Sequence, residues 1–141
     1  MIMAFSILIV DDSKPMRSVI KKTFRAAGYG GSGFLEAANG LEALERLRAN
    51  WIDIVITDYT MPEMNGLELL QAMKQDDLFR GIPVVVITTE GSRKRIDQFM
   101  ESGASGYIKK PFTPEQVRDM ITTILGESDE TVDTDDDDFD F

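Results

Sequence analysis

Five side chains spread over about a hundred positions carry the chemistry available to this chain. Asp11 and Asp12 follow the apolar run Phe5–Val10, and Asp58 follows Ile52–Thr57. Thr88 closes the run Pro83–Thr88, and Lys110 stands just past Ser105–Ile108. Three carboxylates drawn together repel: a pair at ~4 Å costs ~4 kcal/mol at an effective dielectric near 20, so such a cluster needs a proton or a cation. The chain has no His and no Cys. Oxygen-only ligands favour Mg2+, which keeps several waters and takes a phosphate oxygen. A lysine adds a point charge and a threonine a hydroxyl donor, a set suited to phosphoryl transfer onto a carboxylate. Taken singly, each residue has an ordinary reading: Asp12 as a helix cap, Thr88 as a strand residue, Lys110 as a solvated charge. Their joint placement after successive apolar runs carries the chemical reading.

Those runs are short, continuous and β-branched, as expected of buried strands; Phe34–Ala37 is a further, weaker one. Helical patterns lie between them. Ser13 and Pro15 open one in which Met16, Val19, Ile20, Phe24 and Ala27 recur until Gly28. Leu41, Leu44 and Leu47 mark a second, starting at Asn39/Gly40 and ending near Ala49. Leu67, Leu70 and Met73 mark a third, from Asn65/Gly66 to Gln75, and Ile96, Phe99 and Met100 a fourth, from Ser92 to Ser102, stopped by Gly103. Thr113-Pro114-Glu115-Gln116 reads as a capping box ahead of Val117, Met120, Ile121, Ile124 and Leu125, with Gly126 as the stop. Strand–helix repeated five times predicts a doubly wound parallel sheet covered on both faces. In such a fold the site lies at the carboxyl ends of the strands, where all five polar residues fall.

A length of 141 residues and 43% hydrophobic content support one domain with a real core. Without His or Cys, disulfides, thiolate metal sites and Ser–His or Cys–His nucleophiles are excluded. No apolar run reaches the ~20 residues of a membrane span, and Met1–Phe5 lacks a basic leader, so a cytoplasmic protein without membrane insertion is expected. The net charge of −10 is concentrated: residues 127–141 hold nine acids and no base, leaving sixteen acids against fifteen bases elsewhere. A near-neutral body does not suggest nucleic-acid binding, and the acidic block is expected to be a disordered tail.

The chain carries together the motifs Ile7-Leu8-Ile9-Val10-Asp11-Asp12-Ser13, Asp58-Tyr59-Thr60-Met61-Pro62 with Asn65-Gly66, Ile87-Thr88-Thr89-Glu90 and Gly106-Tyr107-Ile108-Lys109-Lys110-Pro111-Phe112. With them the chain resembles a receiver domain of two-component signalling, and closely a single-domain chemotaxis response regulator of the CheY type. The resemblance implies a flavodoxin-like (βα)5 fold with strand order 2-1-3-4-5, with residues 1–126 as the receiver domain. It implies Asp58 as phosphoacceptor for a sensor histidine kinase. Mg2+ would be held directly by Asp12, Asp58 and the backbone carbonyl of Thr60, with Asp11 acting mainly through metal-bound water. Thr88 would bond the phosphoryl oxygens, Lys110 would pair with Asp58 or the phosphate, and the Lys110–Pro111 bond would be cis. Tyr107 would turn inward when Thr88 moves, on an output face formed by the fourth helix, fifth strand and fifth helix.

Some features depart from that pattern. Thr60 stands where the chemotaxis proteins often carry Asn; with Glu90 it bears on the lifetime of the phosphorylated state. Gly28–Gly33 spells G-x-G-x-x-G, but it follows a helix and precedes a strand, the wrong context for a dinucleotide site. Asp133–Asp137 begins like a calcium loop, yet Asp138 occupies the glycine position. Thr60 also replaces the second Asp that an aspartyl phosphatase of the haloacid-dehalogenase type needs, which argues against an enzyme beyond self-phosphorylation and autodephosphorylation.

The fifteen residues after Gly126, nine of them acidic, are too few and too acidic for a DNA-binding or catalytic domain, so output is expected through protein–protein binding. The expected target is a protein such as a flagellar motor switch, with a phosphatase as a further partner. The alternative is a phosphorelay intermediate that passes the group to a histidine phosphotransfer protein. Lys14, Arg17, Lys21 and Arg25 form a basic stripe, read either as a solvated face or as a docking surface for an acidic partner. Arg93, Lys94, Arg95 and Lys109 form a second basic patch, against which Phe139 and Phe141 of the tail are candidates to dock beside Tyr107. Tyr59, which neighbours the site, and Trp51, one strand away, are expected to report metal binding by fluorescence.

Overall fold

In a computed structural model, residues 5–89 and 93–125 are described. Five parallel strands, β1 (Ser6–Val10), β2 (Gly33–Ala37), β3 (Ile54–Thr57), β4 (Val84–Thr88) and β5 (Gly106–Lys109), form one sheet in the order β2-β1-β3-β4-β5. This is the flavodoxin-like arrangement expected from the strand–helix alternation. The helices are α1 (Lys14–Phe24), α2 (Gly40–Ala49), α3 (Gly66–Lys74), α4 (Arg93–Glu101) and α5 (Pro114–Leu125).

Alternation along the strands sorts the core into two layers. Leu8, Val10, Val55, Val84 and Val86 face Ala43, Leu47, Leu69, Leu70, Met73 and Phe99 of α2, α3 and α4. Ile7, Ile9, Ile54, Ile56, Val85 and Ile87 face Ile20, Phe24, Val117 and Ile121 of α1 and α5. Both faces are covered, which is why the strand sequences read as unbroken apolar runs.

The caps are those the sequence spells. Ser13 accepts from Met16 N, and Asn39 accepts from Glu42 N. Asn65 and Glu68 close a reciprocal capping box at α3, and Thr113 and Gln116 do the same before α5. Each such cap stabilises its helix by about 1 kcal/mol.

Three helical faces differ from expectation. Val19, Leu41 and Met100 are exposed, while Ile20, Ala43 and Phe99 beside them are buried. The side of a helix that meets the sheet is narrower than the full set of apolar positions, and these three lie on its flank. The first helix is broken at Gly28, as expected: past Phe24 the chain makes one wider turn, Arg25–Tyr29, in which Gly28 takes φ 102°, a left-handed value that suits glycine. That turn buries Tyr29 against Phe5 and Phe24.

Candidate functional site

Every residue proposed from the strand ends is delivered to the same edge of the sheet. β1 pairs with β3 so that Val10 lies beside Thr57, and the residues that follow are Asp11 and Asp58. β4 runs beside β3 and ends in Thr88, whose register partner on β5 is Lys109, next to Lys110. Backbone bonds lock the approach: Asp58 N donates to Val10 O at 2.9 Å, Asp11 N to Ala37 O at 3.0 Å, and Lys110 N to Thr88 O at 2.9 Å.

Carboxylate oxygens of Asp11, Asp12 and Asp58 come within 4.8 Å of one another. Their environments differ: Asp11 is buried, Asp58 half-buried and Asp12 exposed. Asp11 Oδ1 accepts from Ser13 N at 2.8 Å, and Asp58 Oδ1 accepts from Tyr59 N at 2.8 Å. Asp11 Oδ2 is buried and, among the described residues, accepts no hydrogen bond; Lys110 Nζ lies 3.6 Å away. The same ammonium lies 3.9 Å from Asp58 Oδ1. Burial pushes the Asp58 carboxyl above its ordinary value; Lys110 draws it back down, Asp11 pushes it up, the Tyr59 amide lowers it and Asp12 raises it.

This donor set fits a hard cation. It is all oxygen, it spans exposed to buried positions, and it includes a buried carboxylate oxygen with no hydrogen-bond donor among the described residues. A cation held by these carboxylates would offset their mutual repulsion.

Gly66 has a part the sequence reading missed. Its amide donates to Tyr59 O at 2.8 Å, and a Cβ on it would collide with the Asp58 carbonyl oxygen. Glycine at the head of α3 thus lets the helix close directly against the loop that carries Asp58. The Asn-Gly pair in the sequence signals a helix start, and the close approach appears only in three dimensions.

A model of the response regulator receiver domain matches residues 7–122. The chain belongs to the response regulator receiver domain family. Chemotaxis protein CheY1 of Helicobacter pylori is 43% identical over 124 residues, covering 87% of this chain and 98% of that protein. The solved structure of Vibrio cholerae chemotaxis protein CheY4 superposes with a TM-score of 0.77 at 32% identity, covering 87% of this chain and all of that one. CheY in the CheX-CheY-BeF3-Mg+2 complex from Borrelia burgdorferi gives a TM-score of 0.77 at 28% identity, with 86% and 89% covered. Receiver domains of this type are signalling proteins rather than conventional enzymes, and they bind Mg2+ at an acidic phosphorylation site. Among the described residues of this receiver domain, Asp11, Asp12 and Asp58 form such a cluster.

Thr88 of the receiver domain is buried at the end of β4. Tyr107 is 37% exposed, with its register partner Val86 on the adjacent strand. Thr60 is exposed in the loop after Asp58, and the Lys110–Pro111 peptide is cis as expected. Glu90, Gly126 and the acidic tail, including Phe139 and Phe141, lie outside the described residues.

Two expectations are corrected. The basic stripe on α1 is not a free docking face: Arg17 and Lys21 both grip Glu36 of β2, at 2.8 and 2.7 Å, and Arg25 stacks over Phe34. Trp51 is a poor reporter of the site. It precedes β3 at its amino end, 82% exposed, with its indole N–H donating to Asp53, whereas Asp58 follows the carboxyl end.

Proposed function

We propose that Asp58 accepts a phosphoryl group from a sensor histidine kinase in a Mg2+-dependent reaction, and that this switches the chain's binding to another protein in chemotaxis or motility signalling. The observation that carries this reading is the meeting of Asp11, Asp12 and Asp58 beside Lys110 at one sheet edge. The similarity to chemotaxis proteins over nearly the whole body supports the cellular role. In this reading residues 1–126 are the receiver and 127–141 an acidic tail, and the protein works in the cytoplasm.

An ionised Asp58 oxygen attacks phosphorus, forming a P–O bond as the P–N bond to the donor imidazole breaks; the released nitrogen takes a proton from solvent. Bound Mg2+ supplies positive charge against the carboxylates and the phosphoryl oxygens. Asp12, Asp58 and the Thr60 carbonyl would hold it directly, with Asp11 acting through metal-bound water. Lys110 neutralises charge on the side of Asp11 and Asp58. The Thr88 hydroxyl would then bond a phosphoryl oxygen, and Tyr107 would move from its half-exposed position into the space Thr88 leaves, a two-state population shift. Thr60 and Glu90 would govern how readily water reaches the acyl phosphate.

The partner read here is a protein target such as the flagellar motor switch, with a phosphatase to reset the signal. The Borrelia burgdorferi relative, in a complex with CheX, BeF3 and Mg2+, supports both the metal and protein–protein output. The test is capture from the native cell lysate on immobilised chain, with and without acetyl phosphate and Mg2+. A chemotaxis component retained only by the phosphorylated wild type, and not by Asp58→Asn, supports the reading. Passage of label on to a histidine phosphotransfer protein would make the chain a relay instead.

A further inference from the structure

We propose that Arg17 is a positioning residue for the metal site, and that Glu36 holds it in place. The inference rests on the reading of Asp11, Asp12 and Asp58 as the Mg2+ ligands. Arg17 lies on the first turn of α1, with its side chain only 13% exposed. Its Nη1 donates to the backbone carbonyl of Asp11 at 2.5 Å, and its Nε donates to Glu36 Oε1 at 2.8 Å. Lys21, one helical turn on, takes the other carboxylate oxygen, Oε2, at 2.7 Å.

The carbonyl that Arg17 holds belongs to the peptide joining Asp11 to Asp12. Fixing that peptide plane fixes the direction in which the chain leaves Asp11 and the place from which the Asp12 side chain starts. Asp11 itself is restrained by burial and by the Ser13 amide. Asp12 is exposed, so its carboxylate depends on the backbone for position. Partners that orient a ligand in this way typically alter metal affinity about 10–100-fold when removed.

Glu36 makes this a positioning device rather than a charge effect. It lies on β2, where its register partner is Ile9, two residues before Asp11. Its carboxylate neutralises much of the Arg17 charge, and the hydrogen bonds from Lys21 and Arg17 hold its carboxyl below the ordinary value. A lysine at position 17 keeps the charge but has one terminal nitrogen. It cannot make two contacts through a planar fork.

The test is Mg2+ titration of the full chain by calorimetry, with folding checked by circular dichroism. Arg17→Ala is expected to bind Mg2+ about tenfold more weakly, and Arg17→Lys to lose nearly as much. Glu36→Ala is expected to lose several-fold, and the double variant no more than Arg17→Ala alone, the non-additivity of one shared device. In acetyl phosphate assays the Mg2+ needed for half-maximal rate rises by the same factor, while the rate at saturating Mg2+ stays near wild type. Wild-type affinity in folded Arg17→Ala, or full rescue by Arg17→Lys, would overturn the inference. Glu36→Ala carries the test if Arg17→Ala does not fold: wild-type affinity there overturns it equally. Asp12→Ala separates the two levels, because undiminished Mg2+ binding in that variant would mean the ligand assignment has failed, not the role of Arg17.

Discussion

Lys110 Nζ stands 3.6 Å from Asp11 Oδ2, nearer than its 3.9 Å approach to Asp58 Oδ1. The ammonium therefore serves both Asp11 and Asp58, and it occupies ground that a metal ion would also claim. Lys110 and Mg2+ are rival cations for the same carboxylates. Lys110→Met should bind Mg2+ several-fold more tightly at pH 8, where the carboxylates are ionised. Weaker binding in calorimetry would show that the lysine supports the metal instead of competing with it.

Asp58 sets a pH dependence. Its carboxyl is raised above the unfolded value, chiefly by burial. Between the two values the native state holds more protons than the unfolded chain, so stability falls as pH rises through that window. Asp58→Asn should thus stabilise the metal-free protein at pH 7 by about 1–2 kcal/mol, below the ~4 kcal/mol of a bare pair at 4 Å because Lys110 offsets part of it. The gain should vanish below the ordinary carboxylate range. Denaturant melts at pH 7 and pH 3.5 check both; an equal gain at both pH values contradicts the electrostatic cause.

The carboxylates should not contribute equally to metal binding. Asp11 already has Ser13 N and Lys110 as partners, whereas Asp12 faces solvent. Asp12→Ala should weaken Mg2+ more than Asp11→Ala does. Equal losses would reverse the assigned roles.

How far the sequence foretells this site depends on which residues are considered. Asp11, Asp58 and Thr88 were legible because each directly follows or closes a β-branched run, and parallel topology sends all strand ends one way. The exposed positions of Val19, Leu41 and Met100 were not, since helical spacing marks a wide apolar arc and only packing tells which part meets the sheet. Arg17 was visible as one member of a basic stripe. Its partner Glu36 was not, because that pairing needs β2 beside β1, a contact nineteen positions apart that no periodicity reveals. Gly28 was legible as the end of the first helix, and it takes a left-handed φ there; the burial of Tyr29 just after it was not, since no periodicity marks it.

Placement of Trp51 at the far end of β3 predicts that its emission barely changes with Mg2+. Tyr59 is better placed: it adjoins Asp58, packs edge-on against Phe99 at 4.9 Å, and carries the Arg95 guanidinium 4.8 Å from its ring centre. Tyr59→Trp combined with Trp51→Phe should give a metal-dependent signal. A large Mg2+ response from Trp51 alone would place the ion elsewhere.

The switch predicts a separation of functions. Thr88→Ala should still accept a phosphoryl group but should fail to draw Tyr107 inward, leaving target binding near the unphosphorylated level. Binding as tight as phosphorylated wild type would break the link between Thr88 and Tyr107.

The most direct measurement is labelling with acetyl phosphate and Mg2+, followed by peptide mapping of the acyl phosphate. The account predicts one modified residue, Asp58, label that is lost on chelating Mg2+ beforehand, and no label in Asp58→Asn. Undiminished labelling of Asp58→Asn, or labelling that proceeds equally without Mg2+, would contradict it.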